Sequence, residues 1–247
     1  LKEGDFSLNK QIKDMTPDEV MNMPMLSLDD SFEFRCKACG KCCKHREDIL
    51  LTPYDLFRIA SYLGRTPQEI VERYCEVYEG GQSHFPVVRV LPVYPDNSCP
   101  FLRNRKCSVH AQKPVVCRVY PLARITKSDG SLGYLYNGAS CKHEPQRITV
   151  REWLGDVASA ECEQAGKLWA EGILTVYSAI QPDKLGFSAK TRQQILNVIF
   201  IGLWLKYDTQ KPFIPQLMEN FEEIKLALHI LANPDEIMRL IREEGSK

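Results

Sequence analysis

Four cysteines fall within eight residues, in the run Cys36-Lys37-Ala38-Cys39-Gly40-Lys41-Cys42-Cys43. Thiols at this density most simply act as soft ligands for a metal. The two-residue spacers of Cys36-x2-Cys39-x2-Cys42 let a tight loop turn its sulfurs toward one centre, and Gly40 permits the positive φ that such a bend requires. Cys42 and Cys43 are adjacent, so their side chains diverge. They would therefore serve two neighbouring centres.

The chain holds ten cysteines in all. Cys75 and Cys162 lie on or near apolar helical stripes and read as small core fillers. Setting those two aside leaves Cys36, Cys39, Cys42, Cys43, Cys99, Cys107, Cys117 and Cys141, twice the four thiolates that a tetrahedral zinc or a cubane cluster takes. A disulfide framework is the weaker account of the count, because disulfide-dense domains are mostly small ones without a core. Three cysteines in succession at x2 spacing, with a remote Cys99-Pro100, are features of the bacterial ferredoxin run. An iron–sulfur cluster of the 4Fe–4S type is the preferred cofactor and zinc the alternative. His45, His110 and His143 each follow a cysteine closely and are candidate zinc ligands or outer donors. Arg118, directly after Cys117, is the expected cofactor-binding cation, and Lys41, Lys44 and Arg103 would offset thiolate charge.

Helices and turns must position these thiols. Thr16-Pro17-Asp18-Glu19 and Thr52-Pro53-Tyr54-Asp55 each pair an N-cap with a proline start, and the second opens a helix that stops near Gly64. Thr66-Pro67-Gln68-Glu69 is a capping box, after which Ile70, Val71, Tyr74, Cys75 and Tyr78 share one helical face. The β-branched stretch from His84 to Val93 is interrupted by Pro86 and Pro92, which confines it to an edge or short strand of a small irregular sheet. Ser128-Asp129-Gly130 marks a hairpin. Thr149 and Glu152 form a further capping box, opening a stripe from Trp153 to Trp169. Helices are then expected at about 189–206, 215–231 and 234–244, the last capped by Asn233. The fold class is thus α+β and mainly helical: a wrapping segment over 1–31, a loop-rich cysteine-cluster metal-binding domain over 32–148 and a helical layer over 149–247. Met15, Met21, Met23 and Met25 are left outside the site as flexible gap-fillers.

Composition bounds the partners. The 247 residues include 32 basic and 32 acidic side chains, for a formal net charge of zero, which gives no global attraction to nucleic acid or an anionic membrane, although a local basic patch remains open. The apolar run Ile195 to Leu205 is shorter than the roughly 20 residues needed to span a bilayer. It reads as a buried helix. The polar Leu1 to Lys10 lacks a secretory pattern, so the expected location is cytoplasmic, with residues upstream of Leu1 left open. No GxGxxG, P-loop or GxSxG motif is present, and no carboxylate spacing stands out from charged helical faces. A thiol nucleophile is possible, but ligation is the simpler account of so many thiols.

Phe34-x-Cys36-x2-Cys39-Gly40-x-Cys42-Cys43, Leu51-Thr52-x2-Asp55, Cys99-Pro100-Phe101-Leu102, Cys107, Pro114-x2-Cys117-Arg118-x-Tyr120-Pro121 and Cys141 together resemble the YkgJ, or CxxCxxCC, cysteine-cluster family over roughly residues 32–145. The resemblance implies a zinc- or iron-chelating domain of mainly bacterial distribution, related to flagellin lysine N-methylase. The family pattern often has Tyr at the place of His110, which argues against that histidine as a ligand. Three functions follow as expectations: an iron–sulfur protein, acting as a redox or S-adenosylmethionine-dependent enzyme; a zinc-organised binding module without catalysis; or a protein-lysine N-methylase-like enzyme. Whether it is an enzyme is left open, and the partner is an unidentified protein or small molecule.

Overall fold

The computed structural model describes residues 16–81, 83–127, 131–139, 141, 143–180 and 188–232. In chain order the elements are α1 (Pro17–Met21), β1 (Ser31–Cys36), a 3-10 turn at Lys41–Cys43, β2 (Leu50–Leu51), α2 (Pro53–Leu63), α3 (Pro67–Tyr74), β3 (Cys75–Glu79) and β4 (Pro86–Val90). There follow β5 (Leu102–Arg103), β6 (Lys106–Cys107), a 3-10 turn at His110–Gln112, α4 (Val115–Val119), β7 (Leu122–Thr126), β8 (Leu132–Tyr136), β9 (His143–Thr149) and α5 (Val150–Leu154). A 3-10 turn at Gly155–Ala158 leads to α6 (Ala160–Ile180), α7 (Ala189–Phe200), a π-helical turn at Ile201–Leu205 and α8 (Phe213–Ala232). The expected α+β class, with small open sheets and a C-terminal helical layer, is what the structure has.

Two compact units divide the chain: residues 1–42 with 115–158, and residues 43–114 with 159–247. In the first, β1 runs antiparallel to β9 with a register irregularity between Glu33 and Arg35, and β7 pairs with β8 from Leu122↔Tyr136 to Thr126↔Leu132. Alternation along β1 buries Phe32 and Phe34 and leaves Glu33 and Arg35 outside. Phe34 stacks with Phe32 at 6.4 Å and meets the edge of Trp153 at 4.9 Å. These rings, with Leu122, Leu135, Val150 and Leu154, form the core of the unit. The hairpin turn expected at Ser128 to Gly130 lies outside the described residues, although β7 and β8 flank it.

In the second unit β4 is the central strand of a three-stranded antiparallel sheet, ordered β2-β4-β3. Of the two expected forms, an edge strand or a short one, β4 is the second: five residues long and central rather than at an edge. Pro86 occupies the first position of β4, where a missing N–H is tolerated, and Val88 and Val90 turn inward. The helical face expected to carry Cys75 and Tyr78 is also corrected: α3 ends at Tyr74, and Cys75, with φ −126° and ψ 162°, begins β3. Pairing from Cys75↔Val90 to Glu79↔Pro86 satisfies a backbone that a continued helix would have left beside an unpartnered strand.

The four threonine caps are formed as the sequence predicts. Thr16, Thr52, Thr66 and Thr149 each accept from the backbone N–H three residues on, and the acidic side chain at that position accepts from the cap's own N–H. Gly64 ends α2 in the left-handed conformation, at φ +62°. The stripe expected to run unbroken from Trp153 to Trp169 is interrupted: Gly155 at φ +57° stops α5, and Ser159 Oγ accepts from the Cys162 N–H to start α6. The helix expected near 189–206 is α7 followed by a π-helical turn, that expected at 215–231 is α8, and that expected at 234–244 lies outside the described residues.

The helical layer of this unit packs α6 and α7 against α8. Leu56 and Ile59 of α2, Ile199 and Leu203 of the α7 segment, and Phe213 and Leu217 of α8 are fully buried. Phe213 contacts Tyr54, Phe57 and Tyr207 at ring separations of 4.9–5.2 Å. Gly172 on α6 makes room for the Phe221 ring of α8, because a Cβ there would overlap that ring. Gly172→Ala is therefore expected to destabilise the protein by up to about 2 kcal/mol, an overpacking cost of about 1–3 kcal/mol less a gain of roughly 1 kcal/mol in helix propensity. Urea denaturation of Gly172→Ala alone and with Phe221→Leu checks it: the second change should restore part of the loss.

Among the described residues no helix is long and apolar enough to cross a membrane.

Candidate functional site

The loop that follows β1 is the chemically densest place in the sequence. Cys36 is the last residue of β1, opposite His143 of β9, and its side chain is exposed. The chain then turns through Ala38 at φ +49° and Gly40 at φ +71°. That turn aims the Ala38 N–H at Cys36 Sγ, 3.3 Å away. Cys39 lies half-buried in the loop, and Cys42 and Cys43 lie in the 3-10 turn. Cys141 is buried just before β9, and the Tyr120 hydroxyl donates to its sulfur at 3.8 Å. Burial is the main cause that pushes the Cys141 thiol up. The Tyr120 hydrogen bond opposes it, and the neighbouring Cys39, Cys42 and Cys36 add to it through their charge. Cys36, Cys39 and Cys42 thus each lie within electrostatic reach of Cys141 in one unit.

Cys117 lies in α4 of the same unit. Arg118, the expected cofactor-binding residue, donates to Asp156 at 3.1 Å and lies over Gly155. His143 Nδ1 donates to the Cys141 carbonyl oxygen at 3.0 Å, and its ring packs 5.3 Å from Phe34.

Cys43, Cys99 and Cys107 belong to the other unit. The Cys99 N–H donates to the Cys43 carbonyl at 2.8 Å, and Cys107 pairs with Leu102 across the β5–β6 hairpin. Burial pushes the Cys99 thiol up to about 11, opposed by the Phe101 and Leu102 N–H groups and by Arg46, and reinforced by Cys107. Cys75, expected as a core filler, is only partly buried, at the start of β3; its thiol is pushed up to about 12, mainly by desolvation and then by nearby Cys99. Lys44 forms an ion pair with Asp96 at 2.7 Å, with the Asp96 carboxyl held at about 2 chiefly by that contact. His45 is exposed at φ +52°, and His110 is exposed at the start of its 3-10 turn.

Among the described residues, no group of three or more His, Cys, Asp or Glu side chains is arranged to hold a metal ion. This overturns the iron–sulfur function and cofactor, and with them the zinc alternative. All eight expected ligands are among the described residues. The reason is local. In one unit Cys36 is fixed by strand pairing and Cys117 by a helix, and in the other Cys107 is fixed by a hairpin. Spacing in sequence permits sulfurs to converge, but each of these elements aims its own side chain. The Tyr120 hydroxyl and the Ala38 N–H are the polar partners that sequence reasoning did not assign, although Tyr120 stands inside the Pro114 to Pro121 motif.

A CxxCxxCC domain, of the family described as "Putative zinc- or iron-chelating domain", is present over residues 35–149. The chain is also similar to the uncharacterised protein MJ0661 of Methanocaldococcus jannaschii, at 27% identity over 106 residues, which is 42% of this chain and 52% of that protein. The match thus spans about half the length of that relative. No solved structure matches the chain. The methylase relationship that the sequence resemblance implied receives no support from these comparisons.

Proposed function

We propose that the loop after β1 is a thiol–disulfide exchange site, with Cys36 as the attacking thiol and Cys39 as the resolving one. The observation that carries the reading is the set of free thiols at one place: exposed Cys36, half-buried Cys39 directly after the two-residue spacer, and buried Cys141 near enough to feel both. A backbone N–H on Cys36 Sγ holds the accessible sulfur at the mouth of the loop. Burial raises the Cys141 thiol above the ordinary cysteine range, which suits a neighbour that stays out of the first exchange.

The chemistry balances against a disulfide as oxidant. Cys36, deprotonated, attacks one sulfur of the partner disulfide and expels the other as a thiolate, which takes up a proton. Cys39 then loses its proton and attacks Cys36 Sγ, releasing the second partner thiol. Two protein thiols are oxidised to one disulfide and one partner disulfide is reduced to two thiols. The spacer Lys37-Ala38 is the familiar two-residue separation of exchange motifs.

Equilibration of the reduced full chain in glutathione buffers of graded potential, followed by alkylation and peptide mass mapping, tests this. The expected result is a reversible Cys36–Cys39 disulfide, lost in Cys36→Ser and retained in Cys75→Ala. Thiols that remain fully alkylated at every potential would overturn it. So would thiols protected from alkylation until a chelator is added.

A further inference from the structure

Building on the thiol-exchange reading, we infer that the exchange partner is a carboxylate-bearing, low-molecular-weight disulfide, drawn to Cys36 by Arg35, Lys37 and Lys41. All three cations are exposed and lie within five residues of Cys36 on the same strand and loop. The groups facing them from β9 are His143, Glu144 and Arg147, and Cα register sets Arg35 opposite Glu144 and Glu33 opposite Arg147. Glu33 and Arg147 offset each other. Glu144 is engaged by Lys37 at 2.8 Å and by Arg35 at 3.7 Å. Three cations therefore meet one carboxylate, and the surroundings of Cys36 carry a positive excess on a chain whose formal net charge is zero.

A positive excess beside a reactive sulfur raises the local concentration of anionic reagents and speeds their encounter. It also disfavours cationic ones. The patch is three side chains wide, far smaller than the roughly 20–30 residues that a protein partner covers on each side. A small anion fits that scale. The single carboxylate already engaged by Lys37 and Arg35 shows the geometry that a ligand carboxylate would share or replace.

Oxidation rates of the reduced full chain by oxidised glutathione, which is anionic, cystamine, which is cationic, and 2-hydroxyethyl disulfide, which is neutral, test the inference when each is divided by the rate of a neutral model thiol. The normalised rate with oxidised glutathione should exceed that with cystamine by about 3- to 10-fold at low salt, and the ratio should fall toward unity near 0.5 M salt, where charges are screened over only a few ångströms. The double variant Lys37→Glu, Lys41→Glu should invert the preference. Equal normalised rates at low salt would overturn the charge inference while leaving the exchange reading standing. Failure of all three reagents to oxidise Cys36 would remove both.

Discussion

Phe34→Ala should cost about 3–5 kcal/mol, the range for removing a buried aromatic ring. Phe34 is 2% exposed and is among the largest fully buried side chains of the protein. It meets Trp153 edge-on at 4.9 Å, Phe32 at 6.4 Å and His143 at 5.3 Å. It thus joins β1, β9 and α5, the three elements that define the first unit around the thiol loop. Ala would leave a cavity walled by rigid rings, which collapse poorly onto a void. Phe34→Leu keeps most of the volume and should cost less than half as much. Urea denaturation followed by near-ultraviolet circular dichroism measures both. Because Cys36 is two residues along the same strand, the Ala variant should also lose the hydrogen bond that orients Cys36 Sγ. Its alkylation by a neutral reagent should then become indistinguishable from that of an unstructured thiol. An Ala variant as stable as the wild type would mean that the ring cluster is not the centre of this unit.

How much of this could be read from the chain differs by scale. Local signals were legible. Thr52 and Asp55, Thr66 and Glu69, and Thr149 and Glu152 cap helices as their spacing predicts, because a capping box is a contact among residues three apart and needs nothing distant. Cys75 and Tyr78 were misassigned to a helix because the spacing Ile70, Val71, Tyr74, Cys75 fits a helical face equally well. The partner that decides the matter, β4, begins at Pro86, beyond any local window. Gly155 sits inside an apolar stripe that hides it, though its positive φ is what separates α5 from α6. The thiols show the same limit at the site. Their number and the gathering of Cys36, Cys39 and Cys42 follow from sequence, but the company of Cys141 depends on β1 pairing with β9. The arrangement needed for a shared ion depends on side-chain directions that no spacing fixes.

Alkaline pH should destabilise the second unit before its tyrosines titrate, and Cys75 should account for a measurable part of the loss. The Cys75 thiol is pushed up to about 12 and that of Cys99 to about 11, both mainly by burial. An unfolded thiol titrates near 8.5. Above that pH the unfolded chain has released a proton that the folded chain still holds, so unfolding becomes more favourable as pH rises. Each group contributes a loss of about 1.4 kcal/mol per pH unit from there until its folded value is reached, which is about 11 for Cys99 and about 12 for Cys75. Tyr54 and Tyr207 are also raised by burial, but an unfolded tyrosine titrates near 10, so they act only above that. The interval from about 8.5 to 10 therefore belongs to the thiols among these groups. Between pH 8 and pH 10, under anaerobic reducing conditions, Cys75→Val should lose about 1–2 kcal/mol less stability in urea than the wild type. Valine is apolar, close to cysteine in volume and suited to a strand position opposite Val90, so the comparison weighs the proton more than the packing. Parallel losses in the two proteins would mean that the Cys75 thiol is solvated enough to ionise in place. The burial that holds it protonated would then not exist, and the start of β3 would have to be open to water.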